Sequence, residues 1–409
     1  MKIVVTGASG FVGRNLVPFL IRPEVELLLV GRDPEQLSRM FPGQQTCGYA
    51  ELGTYAKAWD QLLHLAVVNT NSDAVAEEFE RVNVDLLMDV AATAQRIGIK
   101  RFVNVSSVHA LDSAHQHPYA VTKRQAVSRL AALADIEIVT VYLPMVHGEA
   151  WAGRLEWLNR LPKVLARPIF GLAAAFRPTV DVRRLADFVL STPHPRPFPP
   201  GEIDNGILTE LVLSDGQMQN PWYAAIKRTA DLAVALGILL VFWWALLVVW
   251  ATIRVTSSGP GLFAQTRIGR DGREFTSYKF RTMKMGTPQA GTHEISASAV
   301  TPLGRFLRRT KLDELPQIVN ILRNDMSLIG PRPCLPGQTD LIEARRRLGV
   351  LEVKPGISGL AQVNGIDMST PWRLASWDAH YIAMRSLALD ARIALLTVMG
   401  RGQGDKVKT

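Results

Sequence analysis

The chain has 409 residues, of which 47% are hydrophobic, so it is long enough for two domains and too apolar to be disordered. Its two cysteines, Cys47 and Cys334, exclude a disulfide framework and fit a reducing cytosol. The formal net charge of +9 comes from residues 219–409, which carry 25 Lys+Arg against 14 Asp+Glu, and a half this basic is expected to attract phosphates or anionic lipid.

The first part of the chain alternates short apolar strands with helical stretches. Strands are predicted at residues 3–5, 25–30, 61–66, 101–105 and 136–142, and helices at residues 11–20, 74–97 and 119–133. Such alternation predicts an α/β fold with a Rossmann-type, doubly wound parallel sheet. We place this domain at residues 1–192. The Pro- and Gly-rich residues 193–222 are predicted to be a linker.

A glycine-rich turn follows the first predicted strand. Gly7, Gly10 and Gly13 form a G-x-x-G-x-x-G pattern between that strand and a helix. Glycines let the backbone approach a pyrophosphate, and the helix N-terminus supplies N–H groups and a positive dipole end. The turn therefore predicts a dinucleotide site.

A tyrosine and a lysine lie on one face of a later helix. Tyr119 and Lys123 are four residues apart, so the Lys123 ammonium is expected to lower the pKa of the Tyr119 phenol. Ser107, at a strand end, is placed to hold a substrate oxygen beside Tyr119. A chance occurrence of this Tyr/Lys spacing is the alternative.

Together, the glycine turn and the Ser107/Tyr119/Lys123 set resemble the extended short-chain dehydrogenase/reductase family, which contains nucleotide-sugar epimerases, dehydratases and reductases. The resemblance covers about residues 1–190. It implies a nicotinamide cofactor at the three glycines and catalysis by the three polar residues. The acid that the family uses for NAD is replaced by Gly31-Arg32, and Arg32 suits the 2′-phosphate of NADP. Both NADP and NAD are retained as cofactors.

A long uncharged segment begins the second part. Leu232–Ile253 is 22 residues without a charge, which is enough to cross a bilayer core about 30 Å thick. Basic residues stand on both sides of it, and the positive-inside rule then puts both ends in the cytoplasm. We therefore predict a re-entrant membrane helix at residues 223–256, although no proline interrupts it.

Two adjacent carboxylates, Asp313 and Glu314, lie in a strongly basic stretch. Phosphoryl transfer needs an oxygen nucleophile, a Mg²⁺ ligand and cations for the phosphates, and this stretch offers all three. Mg²⁺ takes one or two carboxylates and completes its shell with phosphate oxygens and water. The alternative is that Asp313 and Glu314 are ordinary surface charges without a catalytic role.

Four segments, residues 275–283, 304–317, 325–333 and 354–365, resemble the bacterial sugar transferase family, the monotopic phosphoglycosyl transferases. The resemblance implies a mainly helical, membrane-associated catalytic domain at residues 257–409. It also implies that Asp313 is the nucleophile and that Glu314 holds Mg²⁺. Lys279, Arg281 and Arg332 are the expected contacts to the diphosphate or uridine.

The predicted function is transfer of a phospho-sugar from a UDP-sugar to polyprenyl phosphate, at the start of surface polysaccharide, O-antigen or capsule synthesis. The first domain is expected to reduce or epimerise the nucleotide sugar; alternatively, it is a non-catalytic nucleotide-binding or dimerisation module. The expected partners are the UDP-sugar, polyprenyl phosphate and inner-membrane lipid, with a homodimer left open. Both domains are expected on the cytoplasmic face of the bacterial inner membrane. No nucleic-acid partner is expected, because no DNA- or RNA-binding signature is present.

Overall fold

The computed structural model describes residues 1–69, 74–133, 135–151, 153–191, 208–287 and 299–402. The chain divides into two compact units, Met1–Ala174 with Pro178–Met218, and Ala175–Arg177 with Gln219–Thr409. Each unit has hydrophobic clusters of its own.

The first unit is built on a parallel sheet. Its strands are β1 Lys2–Thr6, β2 Glu26–Val30, β3 Gln45–Cys47, β4 Gln61–His64, β5 Arg101–Ser107, β6 Glu137–Leu143, β7 Met145–His147, β8 Thr179–Asp181 and β9 Leu208–Val212. Seven of them form one sheet in the order β3-β2-β1-β4-β5-β6-β9, and all the pairings in it are parallel. β7 and β8 form a separate parallel pair.

Helices cover both faces of this sheet. They are α1 Phe11–Leu20, α2 Pro34–Met40, α3 Leu52–Tyr55, α4 Ala76–Glu80, α5 Leu87–Arg96, α6 Pro118–Leu130, α7 Lys163–Ala175 and α8 Val182–Leu190. Side chains of β1 alternate between two cores: Ile3 packs in one with Leu16 of α1, and Val4 packs in the other with Leu87 of α5. The predicted doubly wound sheet is confirmed.

The predicted linker at residues 193–222 differs from the structure. Residues 193–207 lie outside the described residues. Leu208–Val212 forms β9, which pairs with β6 through the register Ile138↔Leu208 to Tyr142↔Val212. The first unit therefore continues to Met218, beyond the predicted end at residue 192.

The second unit combines one long helix with a mainly helical domain. Its helices are α9 Pro221–Thr256, α10 Pro302–Thr310, α11 Ile318–Leu322, α12 Thr339–Arg347, α13 Leu360–Val363, α14 Pro371–Met384 and α15 Leu387–Val398. Its strands are β10 Leu262–Ile268, β11 Glu274–Phe280, β12 Ser327–Ile329 and β13 Gly356–Ser358. β10 and β11 form an antiparallel hairpin, and β12 pairs with β13 in parallel.

Among the described residues, α9 is the one helix long and apolar enough to cross a membrane. It runs for 36 residues without a break, which is about 54 Å. Most of its large apolar side chains are exposed, including Leu240 at 73% and Trp244 at 57%. No proline lies in its interior, and Gly237 alone does not interrupt it. The predicted re-entrant break is therefore absent, because nothing in the segment removes a helical hydrogen bond.

Both ends of α9 contact the domain that follows it. Near its start, Lys227 donates to Asp390 of α15 at 2.8 Å, and Asp231 accepts from Ser327 at 3.1 Å and from the Leu328 backbone. Near its end, Ile253 is buried with Phe280 and Leu307. α9 is therefore held against its own domain near both of its ends.

Candidate active sites

The glycine turn of the first unit brings two loops into close contact. Gly7 has φ +72°, and a Cβ there would lie 2.5 Å from the backbone nitrogen of Ala66, just beyond β4. A Cβ at Gly13 would lie 2.5 Å from Cα of Ala8. Only glycine fits either position without a shift of the backbone.

Gly10 caps α1 without a side-chain hydrogen bond, so the first N–H groups of the helix face outward from the turn. This arrangement fits a dinucleotide pyrophosphate. Arg32 is the second residue after β2 and is exposed, as expected for a residue that meets the ribose end of the cofactor.

The predicted catalytic set of this unit lies at the carboxyl edge of the sheet. Ser107 ends β5, its Oγ accepts from the backbone N–H of His109 at 3.3 Å, and it lies near enough to Tyr119, in the first turn of α6, to influence the pKa of the phenol. Lys123 is buried and donates from Nζ to the carbonyl oxygen of Val105 at 2.9 Å. The structure thus brings Ser107 and Tyr119 near each other and attaches the Lys123 ammonium to β5, the strand that carries Ser107.

The electrostatics differ from the expectation for Tyr119. Burial raises the pKa of Tyr119, and the hydrogen bond from Ser107 offsets part of that rise. Lys123 does not lower it; burial instead lowers the pKa of Lys123 itself to about 8. With a pKa of about 8, Lys123 has lost its proton before the Tyr119 phenol ionises, so it carries no positive charge that would favour the phenolate.

In the second unit, Asp313 and Glu314 lie in a short 3-10 turn, Leu312–Gln317, directly after α10. Lys311 joins the helix to the turn with φ +58°, a left-handed conformation that a non-glycine residue adopts at a cost. Its ammonium donates to the carbonyl of Arg401 at 2.7 Å, which holds the junction in place.

α10 itself is fixed by a close backbone contact. A Cβ at Gly304 would lie 2.1 Å from the carbonyl oxygen of Thr282, so the first turn of α10 lies directly against the chain that leaves β11. Thr301 caps this turn by accepting from the Gly304 N–H at 2.9 Å. The acidic turn therefore has a defined position relative to β11.

Glu314 is held by two cations. Its Oε1 accepts from Lys279 Nζ at 2.6 Å and from Arg332 at 3.1 Å. Burial alone would raise the pKa of Glu314, but the charges and hydrogen bonds of Lys279 and Arg332 hold it well below its usual range. Glu314 therefore stays ionised across the working range of pH.

Asp313 behaves in the opposite way. Burial, and next the charge of Glu314, raise the pKa of Asp313 to about 6, although Lys279, Arg308 and Arg332 partly offset this. Two neighbouring carboxylates with opposite shifts are typical of sites in which the two acids have different tasks.

A narrow cleft lies at Lys279 and Arg332, the two residues that contact Glu314. Its walls include the two cations on Glu314 and four further residues: Arg267, Ser277, Gln317 and Gly356. Ser277 is 2% exposed and its Oγ has no hydrogen-bond partner among the described residues. A buried hydroxyl without a partner beside three cations indicates a place for an anionic, hydrogen-bonding ligand.

Arg267 and Ser277 were not among the residues expected from the sequence. Ser277 and Lys279 share one face of β11, since they are two residues apart. Arg267 reaches the cleft from β10, where its guanidinium donates to the carbonyl of Pro333 at 3.1 Å. Arg267 reaches the cleft because of the β10–β11 register, which the sequence does not reveal. For Ser277, the alternation along β11 was a signal in the sequence, because it places Ser277 on the same face as Lys279.

Arg281 lies elsewhere. Its guanidinium donates to the carbonyls of Ser257 at 2.8 Å and of Ser258, at the end of α9. It therefore closes the C-terminus of that helix, and the structure does not bring it together with Lys279 and Arg332.

The oxygen atoms of the Asp313–Glu314 pair suit Mg²⁺. No group of three or more His, Cys, Asp or Glu able to hold a metal occurs in the described part of the chain. The described residues therefore do not form a metal site from protein ligands alone. Two adjacent carboxylates are nevertheless enough for Mg²⁺ when phosphate oxygens and water complete its coordination shell.

Two family models match the chain. Residues 222–402 match the bacterial sugar transferase family, and residues 3–169 match the NAD dependent epimerase/dehydratase family. The chain is 38% identical over 176 residues to the uncharacterized sugar transferase EpsL of Bacillus subtilis, covering 42% of this chain and 85% of that protein.

Two further similarities are more partial. A UDP-glucose:undecaprenyl-phosphate glucose-1-phosphate transferase of Xanthomonas campestris is 36% identical over 194 residues, and the match spans 45% of this chain and only 40% of that protein. The first unit resembles a crystal structure of UDP-galactose 4-epimerase with 20% identity and a TM-score of 0.41, covering 58% of this chain and 84% of that one.

Proposed function

Because the chain belongs to the bacterial sugar transferase family and carries an epimerase/dehydratase-type domain ahead of the transferase, we propose that it moves a phospho-sugar from a UDP-sugar to polyprenyl phosphate, undecaprenyl phosphate in bacteria. The product would begin a surface polysaccharide, O-antigen or capsule unit. The observation that carries the proposal is the buried Asp313–Glu314 pair, with Lys279 and Arg332 on one acid and a raised pKa on the other.

In the first step, a carboxylate oxygen of Asp313 attacks the sugar-linked phosphorus of the donor. The bond from that phosphorus to the bridging oxygen breaks, and UMP leaves with its electron pair. A raised pKa suits this role, since a more basic carboxylate is a stronger nucleophile once it has lost its proton. Lys279 and Arg332 are placed to neutralise charge on the diphosphate, and Arg267 and Ser277 line the same cleft.

In the second step, a phosphate oxygen of the polyprenyl carrier attacks the same phosphorus. The bond to Asp313 breaks and the carboxylate is regenerated, so no net oxidation or proton source is required. Glu314 is the residue proposed to hold Mg²⁺, which when bound would neutralise charge on the phosphate oxygens.

For the first domain we propose reduction or epimerisation of the nucleotide sugar. Gly7, Gly10 and Gly13 would hold the pyrophosphate of the cofactor, and Arg32 favours NADP through its 2′-phosphate. When bound, the cofactor supplies or accepts hydride. Tyr119 would exchange a proton with the sugar oxygen, while Ser107 holds that oxygen in place.

A second candidate is that the first domain binds nucleotide without catalysis. The raised pKa of Tyr119 favours it, because a phenol that resists ionisation is a poorer general base. Substitution of Tyr119 separates the two candidates and is treated in the Discussion.

We further propose that the chain is attached to the inner membrane through the exposed apolar surface of α9, with both domains on the cytoplasmic face. Support comes from the contacts of both ends of α9 with the transferase domain, and from the basic residues on either side of the uncharged segment.

The test is UMP release by the full chain in detergent, screened over UDP-sugars with and without reduced nicotinamide cofactor. At least one UDP-sugar should release UMP, and Asp313→Asn should abolish that release. Release that persists undiminished in Asp313→Asn would contradict the proposal.

A further inference from the structure

In one helix of the first domain, small side chains are buried and several large apolar side chains are exposed. In α7, Ala166 and Ala174 are buried, whereas four large apolar side chains face outward. The exposed set is Val164 at 82%, Leu165 at 56%, Ile169 at 40% and Leu172 at 41%. Leu165, Ile169 and Leu172 follow a spacing of four and three and therefore share one face of the helix.

The inner side of α7 is fixed to its own domain. The ring of Phe170 packs on His147 with centroids 4.8 Å apart and on Trp151 at 5.7 Å. Gln217 donates to the carbonyl of Ala174 at 2.6 Å. The outward direction of the apolar face thus follows from ordered contacts on the opposite side.

An aromatic side chain and several cations occur on α7 or in the turn that precedes it in the chain. Trp157, in the 3-10 turn before α7, is 48% exposed. Arg154, Arg160 and Arg167 are exposed and form no ion pair with a carboxylate of the described chain, while Lys163 pairs with Glu149 at 3.0 Å. Leucine, isoleucine and tryptophan beside arginines are the composition of a helix that lies in a membrane interface.

We propose that α7 and Trp157 form a second membrane contact, which binds the head-group region of an anionic bilayer and holds the first domain at the membrane surface. A second copy of the chain is less suited to cover this face of α7. A 13-residue helix is about 20 Å long, so its face covers on the order of 200 Å², whereas a stable dimer buries about 800 Å² per partner. Anionic lipid, in contrast, needs no such area, because each nearby arginine adds attraction.

The proposal uses the attachment of α9 only for proximity, and the test can separate the two. Cys47 and Cys334 are buried, so an introduced surface cysteine can be labelled selectively in the full chain. Three single variants would carry an environment-sensitive fluorophore: Leu172→Cys on α7, Leu240→Cys on α9, and Glu35→Cys on an exposed position of α2. Each is placed in vesicles of phosphatidylethanolamine and phosphatidylglycerol.

Doxyl-labelled lipid should quench the label at position 172 several-fold more than the label at position 35, and iodide in water should show the reverse order. Quenching at position 172 by iodide alone, as at position 35, would overturn the proposal, and so would protection from both quenchers, which indicates cover by protein. Lipid quenching should weaken in phosphatidylcholine vesicles; equal quenching would contradict the assignment to anionic lipid. Position 240 reports on α9 alone, so its failure to be quenched would contradict the membrane attachment in the proposed function.

Discussion

At the residue scale, the proposed transferase site contains two neighbouring acids whose pKa values are shifted in opposite directions. Glu314 is stabilised as an anion by Lys279 and Arg332, and this leaves Asp313 next to a fixed negative charge in a buried setting. Ionisation of Asp313 is therefore less favourable, and its pKa is higher. A carboxylate with a higher pKa is more basic, and this makes its oxygen a stronger nucleophile. Glu314 therefore tunes the neighbouring acid as well as binding cations.

This tuning predicts a pH-dependent stability difference between the enzyme and Asp313→Asn. The folded pKa of Asp313, about 6, lies above its ordinary value of 3.8, so the folded state binds this proton more tightly than the unfolded state. The stability that the protonated acid contributes is complete below pH 3.8 and is lost as the pH rises through 6. The melting temperature of Asp313→Asn, measured without divalent metal, should therefore rise relative to the native protein between these two pH values.

Above the folded pKa the difference should stay constant. The other titrating groups contribute equally to the pH dependence of both melting temperatures, because both proteins carry them, so their contribution cancels in the difference. A difference that is independent of pH throughout, or one in which the native protein gains, would contradict the raised pKa.

The cleft makes a second prediction at this scale. Arg332→Ala should lower kcat/KM for UMP release by about 10²–10³, since it removes one charged donor from the developing phosphate charge. Arg323→Ala is the matched control, because Arg323 is exposed and donates to the Tyr278 hydroxyl at 3.0 Å, outside the cleft. Equal losses in the two variants would argue against a specific role for Arg332.

The sequence identified most of these residues but not all. Asp313, Glu314, Lys279 and Arg332 could be predicted because motifs carry them. Arg281 was expected beside Lys279 because both belong to the motif at residues 275–283, but β11 ends at Phe280, and the chain then turns toward the end of α9. Alternation holds only inside a strand, and the sequence did not show where β11 stops.

At the element scale, α9 is attached to the transferase domain by a buried polar network. Asp390 of α15 accepts from the Tyr223 hydroxyl at 2.7 Å, from Lys227 at 2.8 Å and from the Tyr381 hydroxyl at 2.7 Å. Tyr223, Lys227, Asp231 and Ala235 recur every four residues, so one stripe of α9 faces the domain. Along about the first two fifths of the helix, this stripe contacts protein rather than lipid.

Asp390→Ala should accordingly destabilise the second unit, by about 3–5 kcal/mol, because it leaves Lys227 without its counter-charge. The measurement is thermal or denaturant unfolding of the full chain in detergent, followed by tryptophan fluorescence. Arg392→Ala on the exposed side of the same helix is the control, expected to change stability by less than about 0.5 kcal/mol. Similar unfolding of both variants would mean that the network contributes little.

Two predicted elements differ from the structure for physical reasons. β9 was assigned to a linker because Leu208–Val212 is short and follows a Pro-rich stretch; its strand state comes from pairing with β6, a partner distant in sequence. The re-entrant break in α9 was inferred from flanking charges, which report which side the ends occupy but not the path between them. The long alternating elements of the first sheet were predicted correctly, since local pattern and tertiary packing agree there.

At the scale of the whole molecule, one chain joins an epimerase/dehydratase-type domain to a sugar transferase domain. A covalent link keeps the second site at a high effective concentration near the product of the first. This arrangement is useful only if the first domain is catalytic.

Tyr119→Phe tests that condition. It should abolish consumption of NADPH with keto-sugar nucleotides, because the hydroxyl that would move the proton is lost, and it should leave UMP release from a finished UDP-sugar unchanged. Both rates are measured on the purified full chain. If no keto-sugar nucleotide supports NADPH consumption by the native protein, and Tyr119→Phe matches it in sugar turnover, the first domain is a binding module.

The most direct test of the account is the mass of the peptide that contains Asp313, after the enzyme has been mixed with donor UDP-sugar and Mg²⁺ in the absence of polyprenyl phosphate. The account predicts one added phospho-sugar on that peptide, its disappearance when the lipid acceptor is supplied, and no addition in Asp313→Asn. An unmodified peptide from an enzyme that still forms the lipid-linked product would contradict it.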